Sequence, residues 1–600
     1  MALFWLLKEL CLFLHRYERT TMKWQKFLSY FFKPIEKNHR FFILMYLLGA
    51  FCIFIINGFG KHSAVFELFL DLYLLCTLLC LAPLRARKVV HAVLYVVFYT
   101  LAMIDIFFFW RIGTPICPAL LQNVLHTTGR EASEAINSYL DWRVLVSPVM
   151  VVVLLLLAHI AVKPLKMRFP KPKAEWMGLA CLLLLVYSSV TCAVNKKFLY
   201  YNLVKADNTL DLQYYREMPY GAEFYLPVYR VLESVKVVQV SNREIESLIA
   251  NIGKAKVGKA SFRSPNIVLI IGEAYNKHHS QLYGYWLPTT PWQLKSVNDS
   301  SLIAFTDVVS PFHQTSEVFK MMFSMYSYGD KGRWDEYPFF TELFVKAGYQ
   351  VNFITNQFVQ SPTLSVWDFA GSTFLNRPEL SEAQFTHRNQ TMHEYDEGLI
   401  AEYDSLKQFR GKNNLFIFHL LGQHIGYGSR YPKTDTVFRR SDYHRPDLTS
   451  DDLRELADYD NATRYNDRVV SRIVQLFANE NAIIIYVPDH GELVFDGSTT
   501  FGRTLAVNTR NEVYQQFEIP FWIWMSKSYR QTHPDIFQQA VEARNKPYMT
   551  DRLPHLLLYL AGISTPYYRE KDNLLSPQYN WKRMRLIMGN KNYDKIVGRR

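Results

Sequence analysis

The chain has 600 residues, and 67 Lys+Arg against 54 Asp+Glu give a net charge of +13, too small an excess to argue for nucleic acid as a partner. At roughly 150 residues per domain, this length implies more than two globular units unless much of it lies in a membrane. All seven cysteines precede residue 193, which excludes a disulfide, thiolate-ligated zinc or a cysteine nucleophile from the longer C-terminal part.

In chain order, the stretch Met1–Leu14 is apolar but short and interrupted by Lys8 and Glu9, and Met22 is an alternative start. Five segments then come near the ~20 residues that cross a bilayer: 41–59, 64–84, 89–109, 144–162 and 176–194. Basic residues cluster before the first (Lys23, Lys26, Lys33, Lys37, Arg40), after the second (Arg85, Arg87, Lys88) and after the fourth (Lys163, Lys166, Arg168, Lys171, Lys173). The positive-inside rule puts these three connections in the cytoplasm, so five crossings leave everything after residue 195 outside. Glu67, Asp71 and Asp105 are carboxylates within or near spans, a pattern that raises functional suspicion. Their positions toward the outer ends of the spans predict interfacial side chains that reach water.

Residues 196–262 mix aromatics with charges and read as a linker along the membrane surface, with a helix near 242–251. From residue 263 to 600, short apolar β-rich runs alternate with helical patterns. The runs are Asn266–Ile271, Leu302–Val309, Tyr349–Thr355, Leu415–Leu420, Ala482–Val487 and Ile519–Met525; helices are expected at 316–326, 340–347, 461–479 and 553–561. Continuous apolar strands between helices predict an α/β domain with a mostly parallel sheet covered on both faces.

Ligands in such sheets collect beyond the carboxyl ends of the strands. There the sequence places Gly272-Glu273, then Thr315-Ser316-Glu317, then Gly422-Gln423-His424, and finally Asp489-His490-Gly491-Glu492. Carboxylates and imidazoles without thiolates suit Zn²⁺. Thr315 opens a helix, where free amides and the helix dipole favour a phosphate. A hydroxyl that also touches a metal would be an activated nucleophile. Singly, each residue has a plainer role: Thr315 as an N-cap, Asp489-His490-Gly491 as a turn, Glu273 and His424 as surface groups. Their joint occurrence after successive strands favours an active site.

At these residues the chain resembles the membrane phosphoethanolamine transferases of the alkaline-phosphatase and sulfatase-like superfamily. The resemblance rests on the spans, on Asn266-Ile-Val-Leu-Ile-Ile-Gly-Glu273, and on His279-Ser-Gln-Leu-Tyr-Gly-Tyr285 with Thr289-Thr290-Pro291. It continues in Met322-Phe323-Ser324, Tyr459-Asp-Asn461 with Tyr465 and Asp467, Tyr486-Val-Pro-Asp-His-Gly-Glu492, and Pro520-Phe521 with Trp524. It implies a five-helix membrane domain (1–195), a linker (196–262) and a periplasmic catalytic domain (263–600) of an inner-membrane enzyme. It implies zinc ligands at Glu273, Thr315, Asp489 and His490, with Thr315 carrying a phosphoethanolamine intermediate and His424 on the phosphate side. Lipid-headgroup residues are implied at Asn123, Thr127 and Glu131, between the third and fourth spans. The implied reaction moves phosphoethanolamine from phosphatidylethanolamine in the bilayer to lipid A or another glycan. A phosphoglycerol transferase of the lipoteichoic-acid type is the alternative that would use the same zinc–threonine site.

Two departures from the family pattern stand out. Where many members have a second histidine about thirteen residues past the Asp-His pair, this chain has Phe501-Gly502-Arg503; where many have His before Val-Pro, it has Glu518 before Ile519-Pro520. A second zinc and the acceptor therefore stay open. A sulfatase proper would need an oxidised Cys or Ser in a Cys/Ser-x-Pro-x-Arg setting, which is not found at Thr315.

Overall fold

The computed structural model describes residues 21–58, 62–112, 115–118, 121, 153–155, 157–165, 170–212, 223–357, 373–503, 509–589 and 591–599. It divides into two compact units, 1–206 with 220–239, and 207–219 with 240–600.

The first unit is helical: α1 (Thr21–Asn57), α2 (His62–Leu81), α3 (Leu84–Ile112) and α4 (Lys171–Tyr200). Among the described residues these four are long and apolar enough to cross a membrane. The fifth expected span, 144–162, lies largely outside the described residues, and the described part of it is helical at 153–155 and 157–162. The helices lock together through polar ties and close backbone approach. Asn38, non-helical inside α1, donates from Nδ2 to Pro34 O at 2.9 Å and to Cys76 O of α2 at 3.1 Å. A Cβ at Gly178 of α4 would fall 1.9 Å from Leu28 O, so only glycine lets α4 approach α1 this closely.

Two of the span carboxylates, Asp105 and Glu67, do not reach water as expected, while Asp71 is partly exposed. Asp105 is fully buried and clasped by Arg230, itself 5% exposed; Arg230 Nε donates to Asp105 Oδ1 at 3.0 Å and Nη2 contacts Oδ2. Ile116 N also donates to Asp105 Oδ1, at 2.9 Å. Glu67 is 3% exposed and pairs with Lys196. Pairing replaces hydration, because a lone charge in an apolar span is costly.

Helix α5 (Pro227–Asn251) starts 15 residues before the expected helix at 242–251. It gives its first half to the first unit and its second half to the second. The second unit then follows the predicted alternation: β1 (Asn266–Gly272), α6 (Pro291–Asn298), β2 (Leu302–Phe305), β3 (Val308–Val309), α7 (Thr315–Phe323), α8 (Phe340–Ala347), β4 (Gln350–Thr355), β5 (His387–Arg388), α9 (Leu399–Leu406), β6 (Asn414–His419), α10 (Ser450–Gln475), β7 (Ala482–Pro488), β8 (Leu493–Val494), β9 (Phe501–Gly502), α11 (Arg510–Phe517), β10 (Phe521–Met525), β11 (Tyr548–Met549) and α12 (Leu553–Ala561). The seven-stranded sheet has the order β2-β10-β7-β1-β6-β4-β5. The five strands from β7 to β5 are parallel, and β10 runs antiparallel to both β7 and β2.

Its strands are apolar on both faces because each face meets a core. Ile267, Leu269, Ile271, Ile483, Ile485 and Val487 enter one cluster, while Val268, Ile270, Ile484 and Tyr486 enter the other. Leu302–Val309 does not form one strand: β2 stays in the main sheet, and β3 leaves it to pair with β11. Helix α10 begins 11 residues before the expected 461–479, at a capping box in which Thr449 Oγ1 accepts from Asp452 N and Asp452 Oδ2 accepts from Thr449 N.

The clasp on Asp105 yields a prediction for the membrane unit. Replacing Arg230 with Met should strand a buried carboxylate at a cost of about 3–5 kcal/mol, read as a clear loss of thermal midpoint in detergent. The double change Arg230→Met with Asp105→Leu should recover most of it. An unchanged midpoint in the single variant would contradict this account.

Candidate active site and metal-ligand cluster

Strands β1 and β7 are neighbours in register, with Gly272 opposite Pro488, so the residues that follow them, Glu273 and Asp489, emerge side by side. Glu273, Asp489 and His490 are all completely buried, and each offers an oxygen or nitrogen within 4.8 Å of the others. His490 Nε2 lies 3.4 Å from Glu273 Oε1 and 3.3 Å from Asp489 Oδ2. Its Nδ1 sits 2.7 Å from Gly491 O, a contact in which Nδ1–H donates to the carbonyl and the lone pair on Nε2 faces the carboxylates.

Thr315 reaches the same point from α7. Its Oγ1 is 3.2 Å from Glu273 Oε2 and 3.5 Å from His490 Nε2. It is the first residue of the helix, with Gln314 at the N-cap, so it does not serve as the cap itself. The first amide paired down the helix is that of Val318, to Gln314 O, and the amides before it open toward the hydroxyl's end of the helix.

The surrounding backbone is held in unusual shapes to make this possible. Ala274 has φ of +52°; its N–H donates to Asp489 Oδ1 at 3.1 Å and its carbonyl accepts from Tyr459 Oη at 2.8 Å. At Gly422 (φ +51°) a Cβ would lie 2.9 Å from the backbone of Glu273, so the β6 loop can close over the cluster only with glycine there. Asp396 shapes that loop by accepting from Leu421 N and Gly422 N, both at 2.8 Å.

The electrostatics favour a cation. Burial and the charge of Glu273 push Asp489 up to about 7, and its Oδ2 has no hydrogen-bond partner. Burial also pushes Glu492 up to about 7, and its Oε2 is likewise unpartnered although Tyr427 Oη donates to Oε1 at 2.8 Å. Burial would raise Glu273 too, but its contact with His490 and the charge of Arg503 hold it well below the usual carboxylate range. A buried, oxygen-rich donor set with one nitrogen and an unsatisfied carboxylate oxygen fits a divalent cation. Glu273, Thr315, Asp489 and His490 are therefore the residues that could hold one.

His424 stands on the loop after β6, half-buried. Burial lowers its proton affinity, Glu273 raises it and Arg503 lowers it, so it lies within reach of the cluster's field. Its Nδ1 contacts Ile425 O at 3.4 Å, and no hydrogen bond joins it to Thr315 among the described residues. Asn123, Thr127 and Glu131 lie outside the described residues.

Several residues in the site carried no expected role. Gln357, at the end of β4, donates from Nε2 to Glu273 Oε2 at 3.3 Å and to Leu420 O at 2.7 Å. Arg503, noted only as a departure, donates from Nη1 to His490 Nε2 at 3.1 Å. The other departure, Glu518, belongs elsewhere, in an ion-pair hub with Lys277 at 2.7 Å and Arg599 at 2.8 Å. His279 is a strut: Nδ1 lies 2.6 Å from Asp460 Oδ1 and Nε2 lies 3.0 Å from Asp496 Oδ2. Burial alone would lower its pKa, but the two carboxylates outweigh it and raise it to about 10.

Membrane-length helices joined to a buried threonine–carboxylate–histidine cluster at the strand ends of a parallel sheet define a membrane-bound member of the sulfatase-like superfamily. The sulfatase family pattern matches residues 265–563, and the pattern described as "Phosphoethanolamine transferase EptA/EptB" matches residues 73–207. Phosphoethanolamine transferase EptC of Escherichia coli K12 is 27% identical over 542 residues, covering 88% of this chain and 89% of its own. Phosphoethanolamine transferase CptA of Salmonella typhimurium is 26% identical and covers 83% and 84%. The crystal structure of the C-terminal periplasmic domain of E. coli EptC in complex with Zn is 28% identical, covers 58% of this chain and 99% of that one, and superposes with a TM-score of 0.49. The chain belongs to the membrane phosphoethanolamine transferase family. It is a transferase of the inner membrane with its catalytic domain in the periplasm.

Two predictions follow from this geometry. Asp489→Asn and His490→Ala should each weaken binding of a divalent cation by about 100-fold or more, beyond what outer contacts cost, measured by metal analysis after dialysis against a chelator; retained metal in both would remove this cluster as the site. Because His279 has a folded pKa above its ordinary 6.5, its stabilisation is complete below pH 6.5 and disappears as pH rises through about 10. The thermal midpoint of the full-length protein should therefore fall across that window, by a loss of about 5 kcal/mol at most, and His279→Gln should flatten the dependence. An unchanged slope in the variant would dismiss the charged-histidine strut.

Proposed function

We propose that this chain transfers phosphoethanolamine from phosphatidylethanolamine to lipid A or another outer-membrane glycan through a covalent intermediate on Thr315. The observation that carries the reading is the position of Thr315 Oγ1, at a helix N-terminus and within 3.5 Å of both Glu273 and His490. In this reading residues 1–195 form the membrane domain, 196–262 a surface linker and 263–600 the catalytic domain, with Asn123, Thr127 and Glu131 at the lipid headgroup.

Glu273, Thr315, Asp489 and His490 would hold Zn²⁺. When bound there, the ion supplies Lewis acidity that lowers the proton affinity of the threonine hydroxyl and offsets charge on phosphoryl oxygens. In the first half-reaction Thr315 Oγ1 forms a bond to phosphorus, the bond from phosphorus to the diacylglycerol oxygen breaks, and diacylglycerol leaves with the proton Thr315 gave up. In the second, an acceptor oxygen attacks the same phosphorus and Thr315 is released with a proton. The amides at the start of α7 would provide fixed donors for the phosphoryl oxygens, and the Arg503 guanidinium a donor that can turn toward them. His424, kept neutral at pH 7 by burial, can relay a proton within each half-reaction, from Thr315 to the departing diacylglycerol oxygen and then from the acceptor back to Thr315. A donor that is itself a bilayer lipid is met without leaving the interface, so tethering replaces free diffusion.

Intact-protein mass spectrometry after incubation with phosphatidylethanolamine tests this reading. The wild type should gain one phosphoethanolamine group and Thr315→Ala none. Equal labelling of both would move the nucleophile elsewhere, and labelling from phosphatidylglycerol instead would change the donor.

A further inference from the structure

The first unit holds a cavity of about 260 Å³ that the reaction chemistry does not use. Leu72 and Leu75 of α2 and Phe98 and Ala102 of α3 form its apolar wall, and Asp71 and Tyr229 mark its polar end. Asp71 lies about 14 Å along α2 from its first residue, well inside a span rather than at its rim.

At that polar end the charges do not balance. Lys196 Nζ lies 2.7 Å from Asp71 Oδ1 and 2.9 Å from Glu67 Oε1, so one ammonium serves two carboxylates. The other contacts are neutral: Tyr229 Oη donates to Asp71 Oδ2 at 2.8 Å, and Asn195 Nδ2 donates to Glu67 Oε2 at 2.6 Å. The neighbouring pair Asp105–Arg230 is self-compensated and contributes no free cation. With both carboxylates ionised, one net negative charge remains inside a membrane-length helix bundle, where an unpaired charge is costly. A carboxylate has about four lone-pair sites, so Asp71 can take a further donor without losing Lys196 or Tyr229. The space beside it is apolar and several times the volume of one water, which suits hydrocarbon better than solvent.

We infer that this cavity is a binding site for an amine-headgroup phospholipid, with an acyl chain against Leu72, Leu75, Phe98 and Ala102 and the headgroup ammonium on Asp71. The inference rests on phosphatidylethanolamine being the donor. It assigns the membrane helices a task beyond anchorage: they retain the donor lipid and select it by headgroup charge. An anionic headgroup such as phosphatidylglycerol meets two carboxylates and is disfavoured.

Native mass spectrometry of the full-length protein, delipidated and then exposed to phosphatidylethanolamine or phosphatidylglycerol with identical acyl chains, tests the site. The wild type should retain the amine lipid about tenfold better or more. Asp71→Asn should bring the two lipids to within about twofold of each other. Ala102→Phe, which fills the cavity, should lower retention of both, and Thr315→Ala should retain lipid like the wild type. Equal retention of the two lipids by the wild type, or an unchanged preference in Asp71→Asn, would overturn the inference, and the second comparison stands even if Ala102→Phe does not fold. Selective retention without any adduct on Thr315 would sink the transfer mechanism and leave the cavity assignment standing. An adduct formed normally by a wild type that shows no selectivity would do the reverse.

Discussion

The constraint on which the catalytic unit depends is the burial of carboxylates at the ends of adjacent parallel strands. The register of β1 and β7 leaves Glu273 and Asp489 no choice but to emerge together, and both are fully buried. Like charges that close in a low-dielectric setting repel strongly, and each has also lost its water. His490 and Arg503 offset part of that cost, and the amides at the start of α7 add a favourable field. What they leave without a hydrogen bond, the Oδ2 of Asp489, fits a place that could hold a cation. The distorted backbone nearby follows from the same constraint: the positive φ at Ala274 turns its amide onto Asp489, and Tyr459 holds the turn.

The same logic separates what the sequence could disclose from what it could not. Strands β1, β6 and β7 were legible because residues on both faces are apolar, alternating between two cores, and the site residues were legible because they immediately follow those strands. The break between β2 and β3 was not, since Thr306 and Asp307 turn the chain toward Tyr548, a partner more than 200 residues away. The early start of α10 was written in Thr449-Ser-Asp-Asp452, a capping signal that the polar first turns of the helix obscured. Gln357 had no local signal at all; a single glutamine after a strand becomes meaningful only when β4 takes its place beside β6.

The membrane carboxylates give a sharper case. Position within a span suggested side chains that reach water, yet Asp105 is sealed by Arg230 and Glu67 by Lys196, partners some 125 residues downstream. Sequence hydropathy measures a segment against lipid and cannot see a cation brought from another helix. Burial of these ions is tolerable because each has a counter-charge, and the arithmetic around Lys196 matters because there the counter-charge is one short.

The two departures from the family pattern show that a substitution acquires meaning from where the backbone delivers it. Glu518 replaces a residue the pattern associates with the site, yet its carboxylate is consumed by Lys277 and Arg599, and against the upward push of burial His278 together with those charges holds its pKa down to about 2. Arg503 is delivered by β9 onto His490 itself. A guanidinium has five donors and no acceptor, so it can never act as a metal ligand. On that side of the cluster the chain therefore presents a permanent positive charge where a histidine would present a lone pair. That charge lies beside Glu492, and the 3.8 Å from Arg503 Nε to Glu492 Oε2 leaves the guanidinium only loosely held. In the proposed reaction an arginine so placed would turn between a carboxylate and an incoming phosphoryl oxygen, a contact that its five N–H donors suit.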